Sequence, residues 1–362
     1  MPVFLEYAFA LGAIVVAASL FTNAIEILGG RLSLGQGAVG SVLAAVGTAL
    51  PETMIPVVAI LAAVFAGRDP ETAGEIGIGA ILGAPFMLAT LAMFVVGASA
   101  LTFRNRRAQG SEIRCREVAA DEFPWCKAPG KSVNIDADTI ARDIAFFLLF
   151  FAVAAAVGVV ELLYPLKVML ALLLIVAYAL YVRRTLHMGA ALEEVPERLT
   201  LWRRSTAPRS TAPPSWAVVG QALLALALIV VGAQIFVDAV EHTAEVAGLP
   251  AGLVALVLAP LATELPEKIN SVIWVRDGKD TLALGNITGA MVFQSTVPVT
   301  FGVLFTRWEL DPLNLFSVVL ALVSGGFVYV VLRRRKTIRS WQLMVGGLLY
   351  LVFLVGAVFA VL

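Results

Sequence analysis

The sequence predicts an all-α integral membrane protein: ten transmembrane helices arranged as two inverted-topology five-helix repeats, with broken helices at the centre. Three observations carry that expectation. Of the 362 residues, 60% are hydrophobic and only 14% charged, and the mean hydropathy of +0.91 lies far above that of a water-soluble chain. Ten apolar runs are long enough to cross a hydrocarbon core, which takes about 20 helical residues. Finally, a block of the second run recurs in the seventh.

The runs cover 3–28, 37–66, 74–103, 144–163, 165–182, 216–240, 250–275, 281–305, 312–332 and 341–362. The first carries Glu6 and no basic leading segment, which predicts a retained helix rather than a cleaved signal peptide. With ten runs, the connecting segments alternate sides. Of the 26 Lys and Arg, 22 then fall on one side and three (Arg68, Lys167 and Arg307) on the other, with Lys268 left inside a run. The positive-inside rule makes the basic segments cytoplasmic and puts both termini outside, as in a plasma (inner) membrane protein.

This divides the chain into a first five-helix repeat over 1–182, which includes a cytoplasmic loop at 104–142, a cytoplasmic linker over 183–215, and a second repeat over 216–362. The linker is rich in Ser, Thr, Pro and Arg over 203–215, a composition for a connector rather than a domain.

Several function classes drop out. The 26 acidic residues cancel the 26 basic ones, so no basic excess is available for nucleic acid. Two cysteines, Cys115 and Cys126, and two histidines supply neither a disulfide framework nor a zinc cluster. The chain contains no HExxH helix, GxSxG elbow or phosphate loop. The expectation is a protein without enzymatic activity or cofactor, whose partners are inorganic cations and the lipid bilayer. Two other readings stand beside it: a membrane enzyme using paired glutamates as acid and base, and a sensor or scaffold that has lost transport.

The internal repeat locates a site. Gly47-Thr48-Ala49-Leu50-Pro51-Glu52 aligns with Ala262-Thr263-Glu264-Leu265-Pro266-Glu267 at an offset of 215, and Asn23-Ala24-Ile25-Glu26 aligns with Asp238-Ala239-Val240-Glu241 at the same offset. Gly79-Ala80-Ile81-Leu82-Gly83-Ala84 aligns with Gly285-Asn286-Ile287-Thr288-Gly289-Ala290 at an offset of 206. Five runs per copy make the copies enter the membrane from opposite sides, the plan of many secondary transporters, in which substrate binds where discontinuous helices meet. Pro51, Pro266, Gly83 and Gly289 are the expected backbone breaks.

Carboxylates inside a bilayer are costly, which makes Glu52, Glu264 and Glu267 candidates for function. Glu52 and Glu267, one from each repeat, are the expected cation ligands and suit Na⁺, Ca²⁺ or a proton. Thr48 and Thr263 stand one turn earlier, on the same helix face, and can add neutral oxygens. Gln294 is a further candidate ligand, because an amide at mid-span needs a partner. Asn286 and Thr288 are expected to modulate the site. Lys268 follows Glu264 by four residues, the favoured order for an ion pair, or else acts as a tethered cation that fills charge space otherwise open to a metal ion.

At these residues the sequence resembles the cation/calcium antiporter superfamily of the sodium/calcium exchanger type. The family pattern is G-T-S-x-P-E on the second span of each repeat and G-N-x-x-G-S-N-x-F-N on the third. The resemblance implies exchange of Ca²⁺ or another cation for Na⁺ or H⁺, with Glu52 and Glu267 as central ligands and Thr48 and Thr263 contributing oxygens. The departures are specific. Ala49 and Glu264 replace the Ser of the first motif; Ala84, Pro85 and Leu88 in one repeat, and Ala290, Met291 and Gln294 in the other, replace polar positions of the second.

Overall fold

The computed structural model describes residues 3–31, 50–65, 67, 69–104, 132–133, 135–160, 162–187, 199–201, 213–278 and 280–361. Thr48, Ala49, Cys115 and Cys126 lie outside the described residues. Among the described residues, thirteen α-helices make ten passages. They are α1 (Val3–Arg31), α2 (Leu50–Phe65), α3 (Pro70–Met87), α4 (Met93–Thr102), α5 (Ala137–Val159), α6 (Tyr164–His187), α7 (Ser215–Ala247), α8 (Ala251–Thr263), α9 (Leu265–Arg276), α10 (Asp280–Gln294), α11 (Val297–Phe305), α12 (Pro312–Arg335) and α13 (Ser340–Val361). A π-helical segment, Leu88–Ala92, joins α3 to α4. Among the described residues, eight passages are long and apolar enough to cross a membrane, and the stretches Glu52–Leu61 and Ala251–Leu261 are shorter apolar helices.

Short polar signals set the helix starts. The Asp136 carboxylate accepts hydrogen bonds from the backbone N–H groups of Asp138 and Thr139 at 3.2 Å, so α5 begins at Ala137, ahead of the expected run at 144. The loop expected over 104–142 is therefore helical in its last six residues, Ala137 to Arg142. Asp311 accepts from the N–H of Asn314 at 2.7 Å ahead of Pro312, and Asp69 does the same for Thr72 at 2.9 Å ahead of Pro70. A left-handed Gly248 (φ +65°) ends α7.

The chain folds into two compact units, each drawing on both halves of the sequence. The first comprises Met1–Ala80, Val168–Thr263 and Thr300–Thr306. Its core gathers Ile14, Ile55, Ile76, Phe236, Val240 and Ala255. Here α3 crosses α8 backbone to backbone: a Cβ on Gly79 would stand 2.2 Å from the carbonyl oxygen of Gly252, so only glycine fits.

The second unit comprises Ile81–Lys167, Glu264–Val299 and Arg307–Leu362. Phe86, Phe147, Phe151 and Phe353 fill its core, with the rings of Phe86 and Phe353 4.8 Å apart. Beside its helices it contains, among the described residues, a two-residue ladder in which Ser132–Val133 (β1) pairs antiparallel with Ile338–Arg339 (β2). The π segment is held from two sides. Ser324 of α12 donates to the Ala89 carbonyl at 2.5 Å, and Thr90 donates to the Phe86 carbonyl at 2.6 Å. A Cβ on Gly346 would stand 2.4 Å from the Thr90 carbonyl oxygen, which is how closely α13 approaches.

Candidate functional site

The seventh passage is interrupted where the sequence places its carboxylates. α8 ends at Thr263, Glu264 stands between the helices with φ −87° and ψ 6°, and α9 starts at Leu265 with Pro266 in its first turn. Proline has no N–H to give to a carbonyl one turn earlier, so the chain turns slightly before continuing. Glu267 occupies the first turn of α9, where the exposed N–H groups and the helix dipole favour a negative charge. In the first repeat, Glu52 likewise lies in the first described turn of α2, directly after Pro51.

The carboxylates are buried: Glu264 is 0% exposed, Glu267 3% and Glu52 5%. Lys268 is also buried, at 7% exposure. Its ammonium donates to Glu264 Oε2 at 3.0 Å and to the sulfur of Met87 at 3.1 Å. Glu264 Oε1 has no hydrogen-bond partner among the described residues. The hydroxyl of Thr263, also buried, donates to the Ala259 carbonyl at 3.0 Å.

The eighth passage is interrupted as well, but later than expected. α10 runs unbroken through Gly289 and stops at Gln294; Ser295 and Thr296 form a turn before α11. Likewise α3 runs unbroken through Gly83 and changes only at Leu88. These two glycines are therefore not the breaks. A glycine inside a helix costs only about 1 kcal/mol, whereas Pro298 withholds an N–H from the carbonyl of Gln294, and the hydroxyl of Thr296 takes the Val292 carbonyl at 2.8 Å. No described atom would lie within 4 Å of a Cβ on Gly289.

Gln294 is buried, and its Oε1 has no hydrogen-bond partner among the described residues. Thr288 is committed elsewhere: it donates to Asp143 Oδ2 at 3.2 Å, while Arg142 holds Oδ1 of the same carboxylate at 2.9 Å. Asn286 is half-buried. Sequence reasoning missed Asp143, which borders an expected loop, and Met87, whose sulfur only the folded chain brings to Lys268. Among the described residues no group of three or more His, Cys, Asp or Glu side chains is placed to hold one metal ion.

The fold and these interruptions define a class, the helical membrane proteins built from two inverted five-helix repeats. The chain belongs to the sodium/calcium exchanger protein family, whose model matches residues 3–186 and 217–362. It is 27% identical to the sodium/calcium exchanger MaX1 of Methanosarcina acetivorans over 133 residues, 36% of this chain and 38% of MaX1. It is 32% identical to the inner membrane protein YrbG of Escherichia coli over 114 residues, 31% of this chain and 35% of YrbG. The matched parts thus span little more than a third of these relatives' length. Among solved structures, the fold is similar to the H⁺/Ca²⁺ exchanger CAX, with a TM-score of 0.71 at 20% identity over 100% of this chain and 85% of that one. The sodium-calcium exchanger NCX_Mj gives a TM-score of 0.57 at 18% identity, over 98% of each chain.

Proposed function

We propose that this protein is a secondary antiporter that exchanges Ca²⁺ or another cation for Na⁺ or H⁺ by alternating access, with Glu52 and Glu267 as the carboxylates that bind the transported cations. The observation that carries the reading is their burial at equivalent positions of the two repeats, 5% and 3% exposed, each directly after a proline. A buried carboxylate inside an apolar span is costly unless a cation or proton neutralises it, and two cations that compete for the same carboxylates cannot ride together. Competition of that kind is sufficient for exchange.

Thr48 and Thr263 supply neutral oxygens in this reading, and Gln294 supplies another through its uncommitted Oε1. Hard cations need such oxygens to complete a shell of six to eight ligands in the case of Ca²⁺. The relative MaX1 is a sodium/calcium exchanger, which supports Na⁺ as a candidate driving ion. The cation asymmetry of the loops supports a plasma (inner) membrane with the long basic segments cytoplasmic and both termini outside. The division into repeats over 1–182 and 216–362, joined by a linker at 183–215, belongs to the same proposal.

Reconstitution in liposomes tests it. Radioactive Ca²⁺ uptake should follow an imposed Na⁺ or pH gradient and collapse when that gradient is dissipated. Absence of gradient-driven flux across a panel of mono- and divalent cations would favour the sensor or scaffold.

A further inference from the structure

Resting on that reading, we infer that the ammonium of Lys268 is a built-in cation: it occupies the cation place on Glu264 permanently, so that Glu267 is the exchangeable carboxylate of the second repeat and the protein binds one cation fewer per cycle than its acidic residues allow.

The two copies of the motif differ here and agree elsewhere. Glu267 is matched by Glu52, whereas Glu264 and Lys268 stand opposite Ala49 and Thr53 at the same offset of 215, neither of them ionisable. The second repeat therefore carries an additional carboxylate together with its own neutralising charge. Both are buried, at 0% and 7% exposure, and the contact is direct, Nζ to Oε2 at 3.0 Å. Taking charges out of water is costly enough that a buried pair needs a reason beyond stability, since apolar replacement of such pairs is often neutral or stabilising. A carboxylate added to a cation pathway without Lys268 would recruit an ion from solution.

The seat is shaped for an ammonium. Its second acceptor is the thioether of Met87 at 3.1 Å, a soft neutral group that takes an N–H but serves Na⁺ and Ca²⁺ poorly. Glu264 Oε1, without a hydrogen-bond partner among the described residues, is the oxygen that remains to face a transported ion. Glu264, Glu267 and Lys268 together carry one negative charge when all are ionised, in place of two.

Equilibrium binding of radioactive Na⁺ to the purified full-length protein tests this without requiring transport. Lys268→Met should bind one more Na⁺ per chain at saturation than wild type, and Lys268→Arg should bind the same number. The double variant Glu264→Gln, Lys268→Met removes a neutral pair and should return to the wild-type count; it serves equally if the single variant does not fold. An unchanged count in Lys268→Met, or a double variant that loses a Na⁺ relative to wild type, would overturn the inference. Loss of gradient-driven flux in wild type with binding intact would instead sink the antiporter reading alone.

Discussion

The third span of each repeat departs from the α-helix at the same place, yet the two departures are made of different material. In the first repeat it is the π segment Leu88–Ala92, lined by Leu88, Ala89 and Ala92 and closed by hydroxyl bonds from Thr90 and Ser324. In the second it is the turn at Ser295 and Thr296, preceded by Gln294, which is the repeat partner of Leu88 at the offset of 206. One copy has become packing, while the other keeps a buried amide with an oxygen to spare.

Substitutions at these two partners should have the largest effects. Leu88→Ala should cost about 2–5 kcal/mol of stability, the range for truncating a buried leucine, and leave the ion selectivity of the surviving protein unchanged. Gln294→Leu should keep or raise the thermal midpoint, because an unsatisfied buried oxygen disappears, and lower flux about tenfold, the weight of one contact of about 1.4 kcal/mol. Equal effects of both changes on flux would erase the distinction between the copies.

The glycines sharpen it at a smaller scale. Gly346→Ala drives a Cβ to 2.4 Å from the Thr90 carbonyl and should destabilise by about 1–3 kcal/mol. Gly289→Ala meets no described atom within 4 Å and should be neutral or stabilising by up to about 1 kcal/mol through helix propensity. Thermal unfolding in detergent separates them.

The smallest effect lies outside the spans. The N–H and hydroxyl of Thr72 hold the Asp69 carboxyl below the ordinary carboxylate range. A carboxyl depressed in the fold stabilises it above its unfolded pKa, and that contribution is lost as pH falls through the folded value. Asp69→Ala should therefore lower the melting temperature slightly at neutral pH and show no difference from wild type once the solution is acid enough to protonate Asp69.

Much of this architecture was legible in the sequence. The expected run at 250–275 corresponds to helices spanning Ala251–Thr263 and Leu265–Arg276, and the run at 281–305 to Asp280–Gln294 and Val297–Phe305, because an apolar stretch of membrane length has few other fates. Repetition and the cost of a buried charge single out Glu267 in the sequence, and the Glu264–Lys268 pair, expected from its helical spacing, is formed at 3.0 Å. The interruptions of the third and eighth spans were misplaced onto Gly83 and Gly289, since glycine only permits a bend while a proline imposes one upstream of itself; the signal was Pro298. Met87 left no trace in sequence, because its role depends on which helix lies across from Lys268. Asp143 was hidden by its neighbour Arg142, whose charge reads as a loop edge until Asp136 is recognised as a helix cap.

The proposed exchange depends on Glu52 and Glu267 as the transporting carboxylates. Gradient-driven Ca²⁺ uptake into proteoliposomes, wild type beside Glu52→Gln and Glu267→Gln at matched reconstitution, measures it directly. Uptake in wild type that is abolished by either substitution, with thermal stability retained, is the predicted result. Wild-type rates in either variant would contradict it.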